Sequence, residues 1–532
     1  MTFLPIVERE LRVAARRRAT FWMRSLLGVG TILLWLFLLV AGQRSVSSPQ
    51  LGLQLFIATG VVALLFCLLA GLFLTADCLS EEKREGTLGL LFLTELKGYD
   101  VVLGKLLATS LHAFYGLLTI LPVLGLPLLM GGVTVGEFWR TTLVLVTTLL
   151  FSLALGLLVS AFARESRQAM SATLLVLLVL TGVMPGIFEA ERWLLKGPTS
   201  AFLLWPSPAF LYTRAFDTFF RWRGSLQFWH SLLTILGLAV GALVAASLCL
   251  PRAWREKAKL DARRPTGWKW RLRFGDRASR SARHALLEQN PFYWLASRDQ
   301  LPRRLAYFII GALLPLWLCF MGGCFSQSAM TRNTCFSISL LFAFGLHQIA
   351  KYLVAVESSR RLNEDRLSGA LELLLVTPLE VNQIPGGLRR ALKHMFGGPL
   401  FLVCLTNAGL VVVVFAGLLG MAADDIVLLS CLSAGGVLAL AADFYALCWV
   451  GVWMGLRARR HNRAIFATLA RVLLLPWAII FCTIFASSHR PMTNGYVASL
   501  FTVWFVFVFV LDLVLAGWAK RALHNGLREL WI

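Results

Sequence analysis

The segment Glu364–Leu379 reads EDRLSGALELLLVTPL, and Glu81–Leu96, earlier in the chain, reads EEKREGTLGLLFLTEL. At a constant offset of 283 residues the two share Gly86/Gly369, Leu88/Leu371, Leu90/Leu373, Leu91/Leu374, Thr94/Thr377 and Leu96/Leu379. Each opens on acidic and basic residues, passes through a glycine and continues as an apolar run. Each also follows directly on a long hydrophobic segment. A charged cluster with an amphipathic continuation, hung twice from a membrane span, suggests a docking element for something outside the membrane.

Working outward, 58% of the residues are hydrophobic and 15% are charged, against roughly 45–50% and about 25% in soluble domains. Apolar runs near 20 residues long mark an integral membrane protein. The runs are continuous instead of alternating, which argues against an outer-membrane barrel. Spans are expected at 25–42, 52–77, 103–130, 139–162, 169–188 and 229–250, then at 305–323, 336–356, 396–420, 426–455, 464–486 and 497–518. The expected fold is therefore all-α, with about twelve transmembrane helices. Pro122 and Pro127 predict a kink in the third span.

The net charge of +23 invites a nucleic-acid partner, but its distribution follows the positive-inside rule instead. With the N-terminus inside, the short outer loops hold only Arg44, Arg140, Arg332 and Arg490. Both termini, both docking elements and the basic stretch 251–289 then face the cytoplasm. Residues 5–24 read as an Arg-rich interfacial helix. The longer outer loop, 189–228, reads as short amphipathic helices at the outer surface. Most of the ten cysteines lie in apolar spans, and none has metal-ligand spacing. Cys324 and Cys335 flank a short outer loop, either as a pair or as two free thiols.

The duplication reaches beyond the opening motif. Pro5, Arg12, Arg17 and Arg18 recur as Pro291, Arg298, Arg303 and Arg304, and Gly156–Thr173 aligns without gaps on Gly451–Thr468. Three anchors at nearly one spacing predict two copies of one unit, 1–250 and 291–532, joined by a basic linker at 251–290. An even number of spans in each makes the six-helix repeats parallel, with cytoplasmic interfacial and coupling helices.

No GxxxxGK[ST], GxSxG or HExxH occurs, so the chain carries no P-loop for ATP. Charges inside spans are functional candidates by default. Arg471 lies eight residues in from Arg463, and Asp512 eight residues in from Lys520 on the next span. Matching depths predict an intramembrane Arg471–Asp512 ion pair. Asp443 lies deeper and is assigned no partner.

A cytoplasmic start of the type PIVERELR, two spans, an E-x-x-x-GTL-x-LLxxT element and a downstream Gly-Lys resemble the ABC-2 type permeases of ATP-binding cassette transporters. The resemblance runs through both halves, as if two permease domains were fused. It implies that Glu81, Glu82, Arg84, Gly86, Thr87, Leu90 and Thr94, with Gly104 and Lys105 downstream, form one ATPase-coupling element. It implies that Glu364, Asp365, Arg366, Gly369, Glu372, Leu373, Thr377 and Pro378 form the other. The first copy has Glu95 where the family favours proline, and the second has Gly387–Leu388 at the Gly-Lys position. The resemblance further implies an exporter subunit of the cytoplasmic membrane, with no cofactor or metal of its own. ATP and Mg would be bound by a separate cytoplasmic ATPase, a dimer by the family's pattern. A non-transporting membrane scaffold and an ion-coupled carrier are the other readings.

Overall fold

The computed structural model describes residues 25, 27–33, 35–36, 39, 48–87, 97–163, 166–185, 201–220, 224–260, 290–297, 300–325, 329–377, 379, 382–415, 423–458, 461–486 and 494–529. Among these residues there is helix and no strand. The chain divides into two units, Met1–Arg264 and Pro265–Ile532. Among the described residues, eight helices are long and apolar enough to cross a membrane. Hydrocarbon offers the backbone no partner, so apolar runs of this length close their hydrogen bonds within helices.

In the first unit, α1 (Ser48–Ala70) runs through a π-helical turn, Gly71–Thr75, into α2 (Cys78–Glu85). Two long helices follow, α3 (Gly98–Met130) and α4 (Val135–Phe162). Helix α5 (Ser166–Leu178) ends in a second π-helical turn, Val179–Val183. Short helices α6 (Pro208–Arg214) and α7 (Asp217–Phe220) precede α8 (Gly224–Leu260). The expected span 25–42 lies mostly outside the described residues, and the interfacial segment 5–24 wholly outside them. Pro122 and Pro127 sit inside α3, which is assigned as a single helix.

The core of this unit gathers Phe56, Leu117, Leu145, Phe151 and Phe228. Small and hydroxyl residues then bring backbones together, as membrane bundles require when lipid is as apolar as leucine. Ser152 Oγ donates to the Cys67 carbonyl at 2.5 Å, and Thr75 Oγ1 to the Leu153 carbonyl at 2.9 Å. A Cβ on Gly156 would stand 2.2 Å from Thr75 Oγ1 and 2.5 Å from the Gly71 carbonyl oxygen. Glycine is what the crossing of α4 over the π turn demands.

The opposite end of the unit is closed by charge. Thr134 and Glu137 cap α4 reciprocally, and Glu137 also accepts from the Asp217 amide at 2.8 Å. Arg140 pairs with Asp217 and donates to the Ala215 carbonyl. The loop expected to lie on the outer surface does more than cover it. Leu211 and Tyr212 on α6 are buried in the bundle, and the Tyr212 hydroxyl donates to the Ile57 carbonyl of α1 at 3.0 Å.

In the second unit, α9 (Pro291–Ser297) and α10 (Leu301–Phe325) lead into α11 (Ala329–Leu367), followed by the short α12 (Ala370–Leu375). Helices α13 (Gln383–Phe415) and α14 (Ala423–Arg457) come next. Helix α15 (His461–Leu469) passes through a π-helical turn, Ala470–Leu474, into α16 (Leu475–Ala486), and α17 (Asn494–Glu529) ends the described chain. One end of this unit is tied by Asn290 donating to the Gln383 carbonyl, Arg361 to the Leu295 carbonyl, and His524 meeting Asn382 at 3.1 Å. The side chains of Cys324 and Cys335 lie outside the described residues.

Candidate functional site

The described part of the first motif, up to Thr87, folds as a short arm tied to its neighbours. Ser160, in the last turn of α4, accepts from the Leu79 and Ser80 amides at 2.9 Å each, satisfying two free donors at the start of α2. Lys83 reaches back to the Ser160, Ala161 and Ala163 carbonyls at the end of α4. A cation there meets the negative end of the helix dipole. Arg84 holds Asp77 through two hydrogen bonds of 3.0 and 3.1 Å. Glu81 lies half-buried in the first turn of α2.

Glu82 ties this arm to the next span. Its carboxylate pairs with Lys105 of α3 at 2.8 Å and also accepts from the Thr87 hydroxyl. Lys105 is only 9% exposed. The ion pair thus joins the charged half of the motif to the downstream Gly104–Lys105. Gly86 ends α2 with φ of 75°, the left-handed conformation in which a Cβ is penalised. Leu90 and Thr94 lie outside the described residues.

The second motif repeats several of these contacts with other side chains. Arg366, at the position of Lys83, donates to the Leu456 carbonyl at the end of α14. Asn363 adds bonds to the Gly455 and Ala458 carbonyls at 2.9 and 2.7 Å. Gly369 takes φ of 73°, matching Gly86. A Cβ on Gly451, the counterpart of Gly156, would stand 2.0 Å from Ser358 Oγ, the counterpart of Thr75 Oγ1. Buried Arg360 bridges Glu357 at 2.8 Å and Glu364 at 2.6 Å.

Leu388 replaces Lys105 in the second motif, so Asp365 has no counterpart of that cation. It faces Arg361 at 4.0 Å instead. Burial pushes the Asp365 carboxyl above the usual carboxylate range, against the opposing pull of Arg361 and Arg360. Beyond Gly369, α12 buries Leu371 and Leu375 and exposes Glu372, Leu373 and Val376, the last two by 74% and 86%. Thr377 is exposed, and Pro378 lies outside the described residues.

Residues 5–253, within the first unit, match the family model described as ABC-2 family transporter protein. This match covers a little under half of the chain and supports an ABC-2 type permease over that stretch. The permease family supplies membrane subunits of ABC transporters, which associate with an ABC ATPase, and this chain is accordingly a multi-pass membrane protein. The family match ends at residue 253. No curated protein matches the chain.

One expectation about the permease needs correction. Arg471 does not pair with Asp512: its guanidinium is exposed and donates to the Ala467 carbonyl at 2.8 Å. Asp512 is wholly buried and lies within hydrogen-bonding reach of Asp443. Asp443 does have a partner, Lys351 of α11, at 2.5 Å. The lone charge therefore belongs to a cluster inside the second unit. Lys351 lies inside the expected span 336–356, and with His347 at i and i+4 it shares a helix face, which is the signal the sequence carries for this cluster. Among the described residues, no group of histidine, cysteine and carboxylate side chains could hold a metal ion.

Proposed function

We propose that the chain is a fused pair of permease domains and forms the transmembrane part of an ABC exporter in the cytoplasmic membrane. The second half, 291–532, acts as a second permease copy, and both termini face the cytoplasm. A separate cytoplasmic ATPase dimer binds ATP and Mg and works on the arms at Glu81–Thr94 and Glu364–Pro378. The observation that carries this reading is the mode of attachment of the two arms. Each is bonded by a cation to the last carbonyls of a neighbouring long helix, Lys83 to α4 and Arg366 to α14. A displacement applied to such an arm passes into the bundle as a rigid-body movement. The exposed Leu373 and Val376 supply an apolar surface for the partner to grip.

The test is coexpression with the ABC ATPase subunits of the source genome, followed by ATPase assays in liposomes and cross-linking from Leu373→Cys. Supporting results are a cross-link to one ATPase and a hydrolysis rate raised by the permease but not by its Glu372→Lys variant. If no ABC ATPase binds the intact chain, the coupling assignment is lost and the scaffold reading takes its place. The Lys351–Asp443–Asp512 cluster favours a second reading, an ion-coupled carrier. Substrate movement driven by an imposed ion gradient without ATP would select it.

A further inference from the structure

The second unit holds a half-open cavity of about 370 Å³ between α11, α13, α14, α16 and α17, within the range of roughly 300–1,000 Å³ that holds drug-sized ligands. Its two sides differ sharply in chemistry. One is aromatic: Phe344 meets Trp477 with ring centroids 5.4 Å apart, Trp477 meets Trp504 at 5.1 Å, and Trp504 meets Phe505 at 5.0 Å. Trp504 spends its N–H on the Pro476 carbonyl at 3.2 Å, so its face, not its donor, is available to a guest.

The other side is polar and buried. Lys351 pairs with Asp443 at 2.5 Å, and the Asn407 amide bonds to His347 Nε2 at 2.7 Å. Asp512, one turn beyond the lining residue Val508, backs Asp443 from α17. Asp512 is 0% exposed, and among the described residues no donor reaches either of its oxygens. One lysine thus serves two carboxyl groups. Two carboxyls in contact and shielded from water need a shared proton or a further cation beside them. A cation entering the cavity would meet that surplus on one side and electron-rich ring faces on the other, an arrangement that attracts positive charge. An anion would find Lys351, the one cation of the described lining, already paired with Asp443.

We propose that this cavity is a binding site for a small amphipathic organic cation, its apolar body against Phe344, Trp477 and Trp504 and its charge toward Asp443. The site lies within the second unit alone and does not depend on coupling to an ATPase.

The experiment measures binding of tetraphenylphosphonium to the full-length protein in lipid nanodiscs, corrected for empty nanodiscs, with tetraphenylborate as the competitor of the same shape and opposite charge. Saturable binding at one site per chain is expected, weakened tenfold or more by Asp443→Asn or Asp512→Asn and not displaced by tetraphenylborate. Gly436→Leu keeps every charge and fills the cavity, since a Cβ there would meet only His347 Cε1, at 3.9 Å. This variant should lose binding while remaining monodisperse, and it decides the matter if a carboxyl variant fails to fold. Phosphonium binding that survives Gly436→Leu, or borate that competes equally, overturns the proposal. Absence of saturable phosphonium binding overturns it as well, and leaves a shared proton as the balance for the two carboxyls.

Discussion

Glu82 and Lys105 sit 23 residues apart in sequence and 2.8 Å apart in space, on helices that meet where α2 turns away from the bundle. Their side chains are 18% and 11% exposed, so solvent screens the pair weakly. Removing one partner leaves a largely desolvated charge, at a cost of about 1–3 kcal/mol. Lys105→Met should therefore lower the unfolding temperature measured in detergent. Glu82→Gln combined with Lys105→Met should recover most of that loss, while ATPase stimulation remains impaired in both variants.

Gly86 and Gly369 turn the chain at φ of 75° and 73°. An alanine in that conformation costs roughly 1–2 kcal/mol, and asparagine less. Thermal unfolding should rank glycine above asparagine above alanine at both positions.

Close approach, not dihedral angle, governs Gly156. Its Cβ would press on the Gly71 carbonyl as well as on Thr75. Overpacking of this kind costs about 1–3 kcal/mol. Gly156→Ala should destabilise the protein by that amount, whereas Gly386→Ala, which meets open space, should not.

Leu373 and Val376 contribute almost nothing to the core, being 74% and 86% exposed. Leu373→Asp with Val376→Asp should leave the unfolding temperature within about 1 °C, since surface substitutions of this kind are nearly neutral. The same double variant should abolish co-purification of the ATPase. Loss of folding would instead place these residues in the core.

Burial raises the Asp365 carboxyl, so its neutral form is favoured in the folded state. A group shifted in this direction stabilises fully below its unfolded value of 3.8, and the contribution disappears as pH rises through the folded value. Asp365→Asn should gain stability relative to the parent as pH is raised from about 4, read from paired thermal melts across the range.

The helical architecture was legible because hydrocarbon leaves so little choice. Apolar runs placed α3, α4 and α14 within a few residues, though α13 begins well before its expected span, and repeated charges located both arms. Partner choice inside the bundle was not legible. The depth argument for Arg471 and Asp512 counted residues along straight α-helices. Arg471, however, lies within the π-helical turn Ala470–Leu474, where 3.6 residues per turn no longer sets the face. Asp512 faces α14, a neighbour that adjacency in sequence does not suggest. The bond between Lys83 and the end of α4 was equally hidden, because an exposed carbonyl leaves no mark in a sequence.

Among the described residues three helices, α1, α5 and the α15–α16 pair, run on into or through a wide turn, at Gly71–Thr75, Val179–Val183 and Ala470–Leu474. Such a turn is a dislocation: one surplus residue held in an otherwise regular coil. Sliding a dislocation along the axis exchanges hydrogen-bond partners one at a time, and each residue it passes rotates by about 100°. The guanidinium of Arg471 could in this way be swung around its helix while the strand of backbone bonds on either side stays intact.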